Sequence, residues 1–340
     1  MKRLRLLPLL LAATLIMAGC GGDDDKIPTG PAQQGSNTSN ADNGNSGSGG
    51  GSLSVTQGQS NDPKNLNRNM TGNDYLDGRP EVPRVVGGEG YSMLVRTVPS
   101  YGVNYIVEWD NQKRSQRWAC MQMYSGNSGS NWKRDNWASS GNYWSEYNHN
   151  VLHYSYWDPF QPDPDLPKAA RTELEEYQGS GYQRGHVIAS ADRLNSMEAN
   201  EQTFYLSNIM PQSAQLNNGT WQNMESQVRT WNAGSFRETL YVVKGGTIAD
   251  GQHNGYTSTG LLIPKYFFMA VVSLKGGVYR GLAFIVEHKN PEKNGTQPRN
   301  YVFTIDQLEE LTGIDFFCNL PDDVEEAAEK TVDYSFWKMN

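Results

Sequence analysis

The sequence predicts an α+β fold, with one domain over residues 81–340. Two observations predict it: runs rich in β-branched and aromatic residues are bounded by turn residues, and only a few segments have helical spacing. The first three runs are typical of a meander, and the last three are apolar enough for buried strands. The predicted strands are residues 91–96, 105–109, 117–124, 240–243, 266–272 and 282–286.

Helix signals are fewer than strand signals. Apolar residues recur at helical spacing over residues 220–231, and shorter helices are predicted at 305–311 and 322–330. Residues 125–167 are rich in Trp, Asn, Ser and Tyr without a clear period, which predicts a long surface excursion.

Composition excludes several classes of protein. The 340 residues include 29 Lys and Arg against 37 Asp and Glu, a formal net charge of −8. This balance argues against a protein that holds nucleic acid by bulk positive charge alone, but it allows a local metal site that handles phosphates. An aromatic content of 11% argues against a wholly disordered chain. A mean hydropathy of −0.67 excludes a polytopic membrane protein.

Residues 1–19 have the pattern of a signal peptide, in which a positively charged start precedes an apolar run. Residues 15–20, Leu-Ile-Met-Ala-Gly-Cys, resemble a bacterial lipobox, which implies cleavage before Cys20 and lipidation of that cysteine. We therefore expect an exported protein that is anchored to the bacterial outer membrane through Cys20. The alternative is an ordinary signal peptide with an incidental cysteine.

Residues 20–80 are predicted to be a disordered tether. Residues 21–74 contain no Phe, Trp or Tyr and consist largely of Gly, Ser, Asn and Asp. Such a segment has too little apolar surface to offset the entropy of ordering it. The acidic stretch at 21–25 resembles export tags of surface lipoproteins but also fits a plain charged linker, so placement on the cell surface stays open.

Three cysteines are too few for a disulfide scaffold. An exported protein can hold a disulfide, so Cys120 and Cys318 either pair or remain two buried free thiols. Their spacing in the sequence does not decide between these alternatives.

Arg184 and His186 lie in a short strand-like segment. Residues two apart in a strand share a face, so the two side chains are expected to point to one place. A neutral imidazole can accept a proton near neutral pH, and a guanidinium suits a phosphate or a carboxylate. Taken singly, each residue also fits an ordinary surface or core position.

A stripe of four residues begins about 30 residues further along the chain. Its members recur every four residues, which places them on one side of a helix: Asn217, Trp221, Glu225 and Arg229. Alone, this stripe fits a solvated helix face, and Asn217 fits a helix cap. Together with the strand, it supplies a base, a hard oxygen ligand, a carboxylate and phosphate-binding cations. These are the parts needed for metal-assisted hydrolysis of a phosphodiester.

Residues 181–231 strongly resemble the DNA/RNA non-specific endonucleases, which are ββα-metal (His-Me finger) nucleases. The family signature is Asp-Arg-Gly-His, then Ser-Asn-x-x-Pro-Gln, then Asn-x-x-x-Trp-x-x-x-Glu. This chain has Gln-Arg-Gly-His at 183–186, Ser-Asn-Ile-Met-Pro-Gln at 207–212, and Asn, Trp and Glu at 217, 221 and 225. The resemblance implies a single domain with a central, mostly antiparallel sheet flanked by helices. It also implies metal-dependent hydrolysis of DNA and RNA with little sequence preference.

The resemblance implies how the metal and the attacking water are held. His186 corresponds to the general base, and Asn217 to the direct protein ligand of a divalent ion. Glu225 corresponds to the carboxylate that holds water at that ion. The ion is expected to be Mg²⁺, with Mn²⁺ or another divalent ion as alternatives. The expected products carry 5′-phosphate and 3′-hydroxyl ends.

The remaining positions are expected to contact phosphate or to order the site. Arg184 and Arg229 correspond to residues that bind phosphate or organise the site, and Asn208 to one that supports the His186 strand. The family also uses an arginine upstream of the signature, for which Arg134 is the candidate. Beyond nucleic acid and the membrane, no partner and no oligomeric state are inferred.

One position departs from the family pattern. Gln183 stands where the signature has an acidic residue, and it cannot carry negative charge. The base and the metal ligand are retained, so the change bears on catalytic rate and metal preference. Two alternatives to a nuclease remain. One is an inactive binding module on the same scaffold. The other is a phosphodiesterase for smaller substrates, in which residues 125–167 would reshape the cleft.

Overall fold

An antiparallel sheet of eight strands forms the centre of the computed structural model, which describes residues 50–133 and 158–339. The strands are β1 (Gly50–Leu53), β2 (Tyr91–Val98), β3 (Gly102–Asp110), β4 (Ser115–Tyr124), β5 (Gln183–His186), β6 (Ile209–Gln212), β7 (Thr239–Gly246), β8 (His253–Tyr256), β9 (Leu262–Pro264), β10 (Tyr266–Lys275), β11 (Val278–Glu287) and β12 (Val302–Phe303). The sheet order is β1-β2-β3-β4-β7-β10-β11-β12, while β5–β6 and β8–β9 form separate two-stranded sheets.

The sheet is covered on both faces. Along β7, Val242 packs in one hydrophobic cluster and Val243 packs in a second. Because successive side chains of a strand point to opposite faces, these clusters lie on opposite sides of the sheet. Burial on both faces explains why the strands of the sheet contain continuous apolar runs. All six predicted strands are confirmed and fall within β2, β3, β4, β7, β10 and β11.

Helices flank the sheet on both sides, as the predicted fold class requires. On one side, Met224 and Val228 pack in the cluster that contains Val242, and on the other side Ile305 and Leu308 pack in the cluster that contains Val243. A π-helical segment, Leu216–Trp221, leads into the first of these helices. The α-helices are α1 (Asp74–Asp77), α2 (Met197–Glu201), α3 (Gln222–Trp231), α4 (Ile305–Thr312), α5 (Asp322–Glu329) and α6 (Tyr334–Trp337).

Residues 50–80 lie on the domain, which differs from the predicted tether. β1 pairs with β2 at the edge of the sheet, and Leu76 is fully buried. Asn69 Nδ2 donates to the carbonyl of Pro83 at 3.1 Å, and its Oδ1 accepts from the amide of Val85 at 3.0 Å. Polar side chains therefore order a segment whose composition offers little apolar surface. This is why composition alone placed the domain boundary too late.

Cys120 and Cys318 are both buried free thiols. Burial raises the pKa of each thiol well above its usual value, so both are held in the protonated, unreactive form. Of the two alternatives that the sequence left open, the structure shows the free thiols.

Residues 1–49, 134–157 and 340 lie outside the described residues. They include the predicted signal peptide, Cys20, the first part of the predicted tether, and Arg134. In the part of the chain that the structure describes, no helix is both long enough and apolar enough to cross a membrane.

Candidate active site

The β5–β6 hairpin carries the Arg-Gly-His and Pro-Gln motifs opposite each other. Gln183 pairs with Gln212, and His186 pairs with Ile209. A Cβ added at Gly185 would lie 2.2 Å from Cδ of Gln212, so the glycine is needed for the cross-strand side chain to fit. The spacing of the motif thus reflects packing within the hairpin as well as chemistry.

His186 is held by aromatic side chains. The residue is only 4% exposed, and its ring centroid lies 5.3 Å from that of Phe160 and 5.1 Å from that of Phe204. The Phe204 ring meets the imidazole edge-on. These two rings restrict the rotation of the imidazole and therefore fix the direction in which its nitrogens point.

Arg184 lies on the same side of β5 as His186, as their spacing predicts. Its guanidinium stacks over the Phe160 ring at 4.1 Å, so one aromatic ring contacts both residues. Nη1 of Arg184 forms an ion pair with Asp158 at 2.8 Å. The guanidinium is thereby fixed beside the imidazole, with its side chain only 14% exposed.

Asn208 extends the hairpin beyond the last paired residue of β5. Its Oδ1 accepts from the amide of Ile188 at 2.8 Å, and its Nδ2 donates to the carbonyls of Ile188 at 2.9 Å and Thr203 at 2.8 Å. Its own carbonyl accepts from the amide of Val187. The fully buried Asn208 side chain thus continues the hydrogen bonding between the two strands directly after His186.

Two hydrogen bonds join the helical segment after residue 216 to β5. Asn217 Nδ2 donates to Oε1 of Gln183 at 2.8 Å, and Nε1 of Trp221 donates to the carbonyl of His186 at 3.1 Å. The residue that departs from the family pattern therefore contacts the predicted metal ligand directly. Nδ2 of the half-buried Asn217 side chain is engaged in this hydrogen bond. Its Oδ1, a hard oxygen atom, is therefore the atom that can coordinate a metal ion. The residues present fit a hard divalent ion at this position.

His288 anchors the chain just before Asn217. Its Nε2 accepts from the amide of Ser213 at 2.9 Å, and its Nδ1 lies 2.9 Å from the carbonyl of Pro264. These partners require a neutral imidazole with the proton on Nδ1, and burial lowers the pKa of His288 in keeping with that form. The carbonyl of Ser213 in turn accepts from the amide of Asn217.

Glu225 and Arg229 belong to a buried network of charges further along α3. Nζ of the fully buried Lys244 lies 3.1 Å from Asp192 and 3.7 Å from Glu225. Arg229 Nη1 pairs with the other oxygen of Asp192 at 3.0 Å. Both carboxylates and Lys244 are thus buried, and Arg229, whose side chain is 27% exposed, lies on the solvent side of the network.

The two carboxylates of this network differ in pKa. Burial acts to raise the pKa of Asp192, but Lys244 and Arg229 together lower it below its usual value. Burial raises the pKa of Glu225 to about 7, although the same two cations act against it. The two cations therefore favour the ionised form of Asp192, and burial favours the protonated form of Glu225.

Sequence reasoning missed several residues of this region. Phe160 lies in the segment predicted to be a surface excursion, and Asp192 and His288 belong to no recognised motif. Lys244 did leave a signal, because a lysine inside an apolar strand buried on both faces needs a charged partner. The predicted residues fall into two groups: His186, Arg184, Asn208 and Asn217 at the hairpin, and Glu225 and Arg229 in the charge network.

The antiparallel sheet, the motif-bearing hairpin and the helix against it define a ββα-metal nuclease fold. A solved structure of EndoG in complex with EndoGI aligns with a TM-score of 0.52 and 20% identity, covering 68% of this chain and 88% of that chain. At this identity the likeness shows the fold alone. A sequence profile of the DNA/RNA non-specific endonuclease family matches residues 89–323, and the chain belongs to that family.

Individual relatives are nucleases. A nuclease of Nostoc sp. is 29% identical over 237 residues, which is 67% of this chain and 76% of that protein. Human mitochondrial nuclease EXOG is 30% identical over 176 residues, or 47% and 46% of the two chains. Human mitochondrial endonuclease G is 29% identical over 170 residues, or 47% and 57%. The match thus spans about half the length of the mitochondrial relatives, and the family places the chain among phosphodiester hydrolases.

Replacing Lys244 tests the charge network. Lys244→Met removes the cation between two buried carboxylates, and we expect the free energy of unfolding to fall by about 3–5 kcal/mol. Chemical denaturation at neutral pH measures it. Lys293→Met is the control, because that lysine is 53% exposed and its ion pair with Glu287 is expected to contribute less than about 1 kcal/mol. Equal effects of the two substitutions would contradict the network.

The neutral state of His288 predicts a pH dependence of stability. Its pKa in the folded protein lies below the ordinary 6.5, so the unfolded chain takes up a proton first as the pH falls. Below pH 6.5, the wild type should lose stability relative to His288→Gln, which keeps a donor and an acceptor but does not titrate. Denaturation curves between about pH 5 and 7.5 measure the difference. Parallel curves, or the same change in His253→Gln, would count against this assignment.

Proposed function

We propose that this protein hydrolyses phosphodiester bonds of DNA and RNA in a reaction that needs a divalent ion and reads little sequence. The observation that carries the proposal is the junction between β5 and the helical segment after residue 216. There, the strand of His186 and the amide of Asn217 are fixed against each other by two hydrogen bonds. Contacts to sugar and phosphate need no readout of base edges, which suits broad specificity.

His186 is the proposed general base. Its imidazole accepts the proton of a water molecule that attacks phosphorus in line with the leaving 3′-oxygen, which gives 5′-phosphate and 3′-hydroxyl ends. Phe160 and Phe204 keep the ring in one orientation, and Asn208 fixes the backbone that follows it. A base held in place before substrate arrives loses little entropy during the reaction.

Asn217 is the proposed ligand of the divalent ion, through its Oδ1. Mg²⁺ is the expected ion, with Mn²⁺ or another divalent ion as alternatives; when bound, it supplies stabilisation of negative charge on the phosphate. Arg184 is positioned by Asp158 and Phe160 to contact a phosphate oxygen. Glu225, which lies 3.7 Å from Nζ of Lys244, is proposed to organise water near the ion.

The cellular location is proposed from residues 1–20 alone. The signal-like start and the lipobox-like end support export and attachment to the outer membrane through a lipid on Cys20. A lipid anchor tethers a chain without spanning the bilayer. Arg134, the proposed upstream arginine, is supported by the family resemblance only.

The proposal is tested by incubating the purified protein with plasmid, single-stranded DNA and RNA. We expect digestion in Mg²⁺ and none in EDTA. His186→Ala and Asn217→Ala should each lower the rate by about 100-fold or more, because each removes a group that acts on the reacting atoms. His253→Ala, in the separate β8–β9 sheet, should leave the rate unchanged.

Three outcomes would contradict the proposal. Digestion that survives both EDTA and His186→Ala would exclude the proposed chemistry. Retention of DNA without cleavage in Mg²⁺ would instead support a binding module. Cleavage of bis(p-nitrophenyl) phosphate with intact polymers would support a phosphodiesterase for small substrates.

A further inference from the structure

Three carboxylates meet on the side of the sheet opposite the candidate active site. Asp306 and Glu309 lie three residues apart on α4, and Glu329 is the last residue of α5. One oxygen of each lies within 4.8 Å of the others. These three residues are called the acidic cluster below.

The innermost member of the acidic cluster has no counter-charge among the described residues. Glu329 is only 5% exposed, and its Oε1 has no hydrogen-bond partner among the described residues. Within the same part of the chain, no lysine or arginine forms an ion pair with Asp306, Glu309 or Glu329. Burial and the neighbouring carboxyl groups raise the pKa of Glu329 to about 10, so the group holds a proton unless a cation takes the place of that proton. A buried carboxyl oxygen without a partner is costly, and a native structure that keeps one needs a reason.

The backbone under the acidic cluster is fixed by close packing. A Cβ added to Gly281 of β11 would lie 2.3 Å from the carbonyl oxygen of Ala328, so the end of α5 sits directly on the strand. Oε1 of Glu309 accepts from the amide of Phe316 at 2.7 Å, which orients that carboxylate. The oxygens therefore converge from rigid elements, as a preformed site requires.

More carboxyl groups surround the acidic cluster. Glu325 lies one turn before Glu329 on α5, and it accepts with Asp315 from the same side-chain nitrogen of Asn67 at 3.2 Å. Asn67 belongs to residues 50–80, so this neighbourhood also helps to hold that segment on the domain. In their ionised forms these carboxyl groups would favour a cation, which would reach the acidic cluster from the exposed side, where Asp306 faces solvent.

We propose that the acidic cluster binds one hard divalent cation of the Ca²⁺ type through Asp306, Glu309 and Glu329, with water completing its shell. The donor set consists of carboxylate oxygens, which such cations prefer. Ca²⁺ bonds are about 2.3–2.6 Å long, so two oxygens that bind one Ca²⁺ can lie at most about 4.6–5.2 Å apart. The three oxygens of the acidic cluster, all within 4.8 Å of one another, are close enough to share one ion. Mg²⁺ demands near-ideal octahedral geometry and gives up its water reluctantly, so a site built from several protein carboxylates favours Ca²⁺. The site is separate from the proposed phosphodiester chemistry and does not depend on it.

Calorimetric titration of Ca²⁺ into the full chain carrying Asn217→Ala tests the proposal without interference from the candidate active site. We expect one Ca²⁺ per chain with a Kd of about 1 mM or tighter, as in extracellular Ca²⁺ modules, and weaker binding of Mg²⁺. Thermal denaturation should show a higher Tm with Ca²⁺ than with EDTA.

Substitutions in α5 provide the matched comparison. Glu329→Gln keeps the size of the side chain but removes a charged ligand, so the Kd should weaken by about tenfold or more and the Tm shift should disappear. Glu326→Gln, whose side chain is 73% exposed, should bind as before. If Glu329→Gln does not fold, the exposed Asp306→Asn serves in its place.

Two results would overturn the proposal. One is the absence of a Ca²⁺-dependent Tm shift and of measurable binding in the Asn217→Ala chain. The other is equal binding by Glu329→Gln, or by Asp306→Asn in its place, and Glu326→Gln. Neither result would bear on digestion of nucleic acid, so the two proposals can fail independently.

Discussion

The candidate active site depends on the attachment of one helix to one short hairpin. The β5–β6 hairpin has only four residues in each strand and pairs with no strand of the eight-stranded sheet. Its position is set by Trp221, which donates to the carbonyl of His186, and by Asn217, which donates to Gln183. Since His186 and Asn217 are far apart in the sequence, this attachment creates the site.

Several cationic side chains in this protein are paired with specific neighbouring groups. The formal net charge of −8 is unfavourable for a protein that would hold nucleic acid with a broad basic surface. The structure instead pairs individual cations with individual partners, with Arg184 over Phe160 and with Lys244 and Arg229 around Asp192. Under the proposed function, substrate is then bound weakly and released readily, which suits turnover better than capture.

Local sequence patterns predicted the fold class and the elements that carry the motifs. Runs of β-branched and aromatic residues indicated the strands of the sheet. The two-residue spacing of Arg184 and His186 predicted that they lie on one face of a strand. Long-range polar contacts could not be predicted in this way. Asn69 orders a segment without aromatic residues, and His288 reaches Ser213 from 75 positions away. Such contacts depend on which distant segments the fold brings together, and no local periodicity in the sequence encodes that.

Gln183 offers the most direct test of how the site is held together. In Gln183→Met the side chain keeps its length but loses the acceptor that orients Asn217, so the Mg²⁺ concentration for half-maximal hydrolysis should rise about tenfold, equivalent to about 1.4 kcal/mol. The rate at saturating Mg²⁺ should stay within a few-fold of the wild type, and the exposed Gln178→Met should behave like the wild type. An unchanged Mg²⁺ dependence in Gln183→Met would contradict the account, because the hydrogen bond to Asn217 would then have no part in presenting the ligand.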